Sequence, residues 1–195
     1  MKNIVVFASG SGSNFQSIID SIEAGKLDAS ITGLISNKHG IKSLERANEN
    51  NIPFKVIAET DFKTFEQYAE VLLEQLQNWN TDLIVLAGFL KKVPPKVIQV
   101  FDNRILNIHP SLLPKYGGKG FYGLKVHTAV IEAGDSVSGC SVHIVSEEYD
   151  KGPILEQATV PVYNNDTPEK LASRILEQEH ILYPKVISNY LTSFS

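Results

Sequence analysis

Asn107 and His109 stand two residues apart in the string Asn107-Ile108-His109-Pro110. In an extended chain, residues two apart point to the same side. Both side chains would then meet at one site where a strand ends. An amide N–H donor suits a developing oxyanion, and an imidazole can exchange protons. Taken alone, such a pair at a strand end also serves as plain loop hydrogen bonding. The second chemical feature is the turn Ser9-Gly10-Ser11-Gly12-Ser13-Asn14. Glycines let a backbone turn tightly, and the N-terminus of a following helix offers free N–H groups and partial positive charge to an anion. No Gly-Lys-Ser/Thr follows, so this is not a P-loop. A dinucleotide fingerprint needs a third glycine where Phe15 stands. The turn therefore reads as an anion site rather than a dinucleotide site. The alternative is a tight strand-to-helix turn that binds nothing.

Asp150 lies in Tyr149-Asp150-Lys151-Gly152, which by itself is ordinary turn chemistry. Glu179 and His180 fall in a final helix, where exposed charged residues are routine. The histidines His39, His109, His127, His143 and His180 show no pair at helical ligand spacing and no HExxH motif, so no metal is expected. The string Ser9-Gly10-Ser11-Gly12 lacks the G-x-S-x-G elbow of serine hydrolases.

These groups need elements to position them. Residues 4–8 and 83–87 are short continuous apolar runs, as expected of strands covered on both faces. Strands are also expected at 31–36, 53–58 and 104–108. After the glycine turn, Phe15, Ile18, Ile19 and Ile22 repeat at helical spacing, and Gly25 closes that helix. Further helices are expected at 44–50, 65–76 and 126–133, with a short one opened by Pro94 and Pro95. A long irregular stretch, 110–123, separates the fifth strand from the next helix; loops of such length are usually functional or disordered. Residues 138–145 and 154–162 read as a strand pair, antiparallel and completing the sheet. Thr167-Pro168-Glu169 opens a last long helix with a hydroxyl cap and a first-turn proline. Alternating strands and helices give an α/β fold: a Rossmann-like, doubly wound, mostly parallel sheet with helices on both faces and an antiparallel C-terminal addition. One domain over 1–195 is expected, with a mononucleotide-binding half at 1–100 and a catalytic half at 101–195.

Composition agrees with such a fold. The chain has 195 residues, 43% apolar and 21% charged, enough for a sizeable core without disulfides. Eighteen basic against 22 acidic residues give a net charge of −4, which disfavours nucleic acid as a partner. The single Cys140 excludes an internal disulfide framework and a cysteine-rich zinc site. No run approaches a membrane span, and the apolar run at the N-terminus is too short for a signal-peptide core. A cytoplasmic protein with no membrane partner is expected.

Four strings occur in order: Ser9-Gly10-Ser11-Gly12-Ser13-Asn14, Leu86-Ala87-Gly88-Phe89, Asn107-Ile108-His109-Pro110-Ser111-Leu112-Leu113-Pro114 and Asp150-Lys151-Gly152-Pro153. Together they resemble the folate-dependent formyltransferases over residues 2 to about 190. The glycine turn and Lys115-Tyr116-Gly117-Gly118 point to the glycinamide ribonucleotide branch of purine biosynthesis. That resemblance implies formyl transfer from 10-formyltetrahydrofolate, as co-substrate, to the amine of 5-phosphoribosylglycinamide, without a metal. It implies that Gly12, Ser13 and Asn14 hold the substrate phosphate and that Glu179 contacts the ribonucleotide. Asn107 and His109 would stabilise the tetrahedral intermediate, and Asp150 would pair with His109 and raise its pKa. Leu90, Lys91, Lys92 and Val93, the loop around Asp150, and Asn107 would line the folate pocket. His127 and the 111–123 loop would frame the site. Lys63 would stand near a family arginine that meets the folate glutamate. The family usually carries an arginine and then an apolar residue where this chain has Lys91 and Lys92. A monomer or homodimer acting on small molecules is expected. The rival readings are a formyltransferase for another amine, such as a nucleotide sugar, a non-catalytic sugar-phosphate binder, and an NAD-dependent oxidoreductase, the last opposed by Phe15.

Overall fold

Alternate residues of the first strand, β1 (Lys2–Ala8), belong to opposite sides of the sheet. Ile4, Val6 and Ala8 join one apolar cluster, while Val5 and Phe7 join another. That is why the run is apolar throughout: neither face meets water. The computed structural model describes residues 1–193; Phe194 and Ser195, the end of the expected 1–195 unit, lie outside the described residues.

The other strands are β2 (Ala29–Ser36), β3 (Phe54–Val56), β4 (Leu83–Leu86), β5 (Ile105–His109), β6 (Val137–Ile144) and β7 (Ile154–Pro161). They form one sheet in the order β3-β2-β1-β4-β5-β6-β7. Pairing is parallel from β3 to β5, then antiparallel from β5 to β6 and from β6 to β7. The helices are α1 (Ser13–Glu23), α2 (Lys42–Glu49), α3 (Phe65–Asn78), α4 (Pro95–Val100), α5 (Leu124–Glu132) and α6 (Pro168–Leu191). Phe15 and Ile18 of α1, Ala47 of α2, Val130 of α5 and Leu171, Ile175 and Tyr183 of α6 pack on one face. Tyr68, Leu72 and Leu76 of α3 and Val97 of α4 cover the other. Among the described residues no helix is long and apolar enough to cross a membrane.

Local chemistry explains the ends. The Thr64 hydroxyl accepts from Gln67 N–H at 3.2 Å and caps α3; Thr167 does the same for α6, with Pro168 at its first position. Gly25, at φ 67°, closes α1 by donating its N–H to Ile22 O at 2.9 Å. Some boundaries differ from expectation. The third strand is three residues rather than six, because β3 is an edge strand whose Phe54 and Lys55 are exposed. The fifth strand runs on to His109, so both Asn107 and His109 are strand residues.

Candidate active site

The strand order reverses between β1 and β4, and the segments leaving β1, β4 and β5 meet at the carboxyl ends of those strands. Open α/β sheets bind ligands at such a point. Here lies a cleft of about 580 Å³ lined by Ser11, Asn14, Gly88, Asn107, His109, His127, Asp150 and Glu179. Ser9 ties its floor together. Its hydroxyl donates to Asn37 Oδ1 at 2.6 Å and accepts from Leu90 N–H at 2.9 Å.

His109 is buried, with Nε2 2.8 Å from Tyr116 O and Nδ1 3.6 Å from Asp150 Oδ2. A carbonyl can only accept, so Nε2 carries a proton and the ring turns its Nδ1 toward Asp150. Asp150 also accepts Gly118 N–H at 2.8 Å, and its Oδ1 lies 3.5 Å from His143 Nε2. His143 Nδ1–H donates to Ile144 O at 2.9 Å, which leaves Nε2 to accept from Asn107 Nδ2 at 3.0 Å. His143 thus holds the Asn107 amide with one N–H used and a second available.

The electrostatics depart from expectation at His109. Burial pushes its pKa down; the Asp150 charge and the Tyr116 carbonyl pull it up, and the net result is below the ordinary imidazole value. The expected rise from Asp150 exists but desolvation outweighs it. For Asp150, burial pushes the carboxyl up, and the Gly118 N–H and, when it is protonated, the His109 imidazolium pull it further down, to a net value below the usual range. His127, beside them on α5, is held down to about 4 by burial and by His109.

Gly12 caps α1 in the left-handed region, at φ 69°. A Cβ there would lie 2.7 Å from Ser43 Cβ, so only glycine fits the approach of α2 to the turn. Arg46 of α2 fastens the turn from outside, donating to Ser11 O at 3.0 Å and to Gln16 Oε1 at 2.8 Å. Asn14 reaches across to α6, its Nδ2 donating to Glu179 Oε2 at 2.6 Å, while its Oδ1 is buried with no partner. Glu179 is buried, not exposed as its place in a charged helix suggested. The signal was present: Leu171, Ile175, Leu182 and Val186 form a buried stripe, and Glu179 fills its missing position.

Leu90 and Lys91 line the central cleft, whereas Lys91, Lys92 and Val93 line a smaller pocket of about 80 Å³ beside it, with Asn107, His143 and Asp150. Lys92 Nζ stands 5.9 Å from the Tyr149 ring centre. Ser13 lines a separate groove between α1 and α6, and Gly12 lines neither cavity. Lys63 is exposed ahead of α3 and lines none of these cavities, because its segment leaves the outer edge strand β3. Sequence reasoning considered His143 only as a metal ligand and missed it as the partner of Asn107. Among the described residues no group of three or more His, Cys, Asp or Glu could hold a metal ion.

A doubly wound sheet with a glycine turn, an amide and a histidine–carboxylate pair at its switch point defines the chain as an α/β protein of the Rossmann-like class. Residues 2–187 match the family model described as formyl transferase, and the chain belongs to that family. It is 44% identical over 187 residues to the chloroplastic phosphoribosylglycinamide formyltransferase of Arabidopsis thaliana, covering 95% of this chain and 64% of that protein. It is 40% identical over 186 residues to phosphoribosylglycinamide formyltransferase of Escherichia coli (strain K12), covering 95% of this chain and 85% of that one. The chain spans 64% and 60% of the length of the two plant relatives it matches. The crystal structure of glycinamide ribonucleotide transformylase 1 from Symbiobacterium toebii superposes with a TM-score of 0.93 at 37% identity, covering 99% of this chain and 89% of that one.

Proposed function

We propose that this chain transfers the formyl group of 10-formyltetrahydrofolate to the amine of 5-phosphoribosylglycinamide, giving the N-formyl product and tetrahydrofolate in purine biosynthesis. The observation that carries this reading is the convergence of Asn107, His109 and Asp150 on a cleft that also receives the glycine turn through Ser11 and Asn14. The relatives' names support phosphoribosylglycinamide as the acceptor and formyl as the group transferred.

In this reading the α1 N-terminus takes the phosphate through the backbone N–H groups of 12–14. The Asn14–Glu179 pair meets the sugar and amine side, and the unpartnered Asn14 Oδ1 accepts from a ribonucleotide donor. Leu90, Lys91, Lys92, Val93 and Asn107 take the folate. Lys63, exposed ahead of α3, is assigned to the folate glutamate. The substrate amine attacks the formyl carbon, and negative charge develops on the formyl oxygen. The second Asn107 N–H meets that charge. The bond from carbon to the folate N10 then breaks, and the proton lost by the amine arrives on N10. His109, with Asp150 facing its Nδ1, relays that proton, taking it from the amine and giving it up to N10, and so ends the cycle as it began. We place the enzyme in the cytoplasm as a monomer or homodimer, and 1–100 and 101–195 as its nucleotide-binding and catalytic halves.

The test is spectrophotometric. Purified chain, 10-formyltetrahydrofolate and 5-phosphoribosylglycinamide are mixed and deformylation of the folate is followed. Amine-dependent turnover is expected, falling roughly 10²–10⁴-fold in His109→Ala. Turnover unchanged by that substitution removes the assigned role, and no turnover with any amine removes the proposed reaction.

A further inference from the structure

Asp135 lies in the turn between α5 and β6 and does not line the cleft. Three bonds converge on it. Lys115 Nζ donates to both its oxygens at 3.1 and 3.0 Å, and the Tyr116 hydroxyl donates to Oδ2 at 2.9 Å. Tyr116 is held with φ at 53°, a left-handed conformation that a side chain disfavours. The main chain of 115–118 then bonds three side chains. Ser111 Oγ donates to Lys115 O at 2.6 Å. His109 Nε2–H donates to Tyr116 O at 2.8 Å, and Gly118 N–H donates to Asp150 Oδ2 at 2.8 Å. One short strap therefore touches both members of the His109–Asp150 pair. Gly117 allows this closeness, since a Cβ there would stand 3.2 Å from Asp150 Cβ.

We propose that Asp135 is a positioning residue for formyl transfer, anchoring Lys115 and the Tyr116 hydroxyl so that the Tyr116 carbonyl fixes the His109 ring and Gly118 fixes Asp150. The proposal rests on the catalytic reading given above for His109. A strap whose outer end is loose keeps its sequence but not its angle at Nε2. Misplacing a reacting group by an ångström from afar can cost about a hundredfold in rate. His109 is faced by the Tyr116 carbonyl from the strap, Asp150 from the loop after β6, His143 from β6 and His127 from α5. Only the first two raise its affinity for a proton, and both depend on the strap.

The test uses Asp135→Ala, Asp135→Asn and Tyr116→Phe in the full chain. Each is followed by steady-state kinetics across pH and by NMR titration of the His109 imidazole. Tyr116→Phe removes one hydroxyl and serves should Asp135→Ala not fold. Asp135→Ala and Tyr116→Phe are expected to lower kcat roughly tenfold with KM for the ribonucleotide within about twofold. The His109 titration should move to lower pH in both. Asp135→Asn, which still accepts two donors, should restore most of both readouts. The double variant should lose little more than either single one. Folded variants whose kcat and His109 titration match the parent chain overturn the proposal, as does a loss of thermal stability with neither readout moved. If the His109 titration shifts but the parent chain transfers no formyl group, the strap stands as the holder of His109 and the catalytic reading fails instead.

Discussion

Burial pushes the Glu179 carboxyl up to about 7, and the Asn14 amide draws it back only in part. Its ordinary value is 4.5. Between these values the native chain keeps a proton that the unfolded chain has released, so the unfolded state binds fewer protons. Stability therefore falls as pH rises through that window. Below about 4.5 the contribution is whole, and above about 7 it is gone. The Glu179→Gln chain cannot ionise there, keeps an acceptor for Asn14 Nδ2, and should decline less. Urea denaturation at pH 5 and pH 8 reads the difference, on the order of 2–3 kcal/mol from a shift of this size. Parallel declines in the two proteins would show that Glu179 stays ionised in the fold. The same carboxyl is proposed to meet the ribonucleotide, so the variant should also bind it more weakly. A residue that destabilises its own fold at neutral pH yet occupies a core position fits a binding role better than a packing role.

Elements carried the legible part of the molecule. The runs at 4–8 and 83–87 required cover on both faces, and they became β1 and β4 at the centre of the sheet. Asn107 and His109 could be paired from sequence because a strand's period of two needs no knowledge of its neighbour. His143 could not, because its role depends on the register that sets it opposite Asn107 across β5 and β6. The Tyr116 carbonyl escaped for another reason: every residue type carries one, so no letter marks it. The net fall in the His109 pKa was hidden as well, because the partner Asp150 is visible in sequence and depth of burial is not. The glycine turn belongs to the same scale. Gly12→Ala would place a Cβ 2.7 Å from Ser43 Cβ in a left-handed residue. The conformation alone costs about 1–2 kcal/mol, and relieving the contact moves α1 from α2. Calorimetry should show a lower Tm and loss of binding to 5-phosphoribosylglycinamide, with folate binding retained. A variant that binds both ligands as the parent does would separate the turn from phosphate recognition.

Across the whole molecule, the sheet divides two apolar clusters, and α6 is the element that secures the site from the side facing α1. Tyr183 of α6 is fully buried, and its hydroxyl stands 3.0 Å from Leu86 O and 3.0 Å from Leu106 O. Leu86 ends β4, two residues before Gly88, and Leu106 is the second residue of β5, immediately before Asn107; Gly88 and Asn107 both line the cleft. One donor thus joins the last helix to two neighbouring strands at the level of the site. Burial and the two carbonyls leave this hydroxyl no use for ionisation, and burial holds its pKa well above the ordinary value. Tyr183→Phe keeps the ring in its packing and removes only the donor. Leaving buried carbonyls short of a partner costs roughly 1–3 kcal/mol, which in a chain of this size lowers Tm by about 2–4 °C for each kcal/mol. Urea unfolding should show a lower midpoint with the slope unchanged, since the surface exposed is the same. Because the same bond holds the residues just before Asn107 and Gly88, kcat should fall with the midpoint while the ribonucleotide still binds. A Tyr183→Phe chain that keeps its midpoint would mean that packing alone fixes α6 on the sheet, and a chain that loses stability but not kcat would mean that Asn107 and Gly88 hold their places without it.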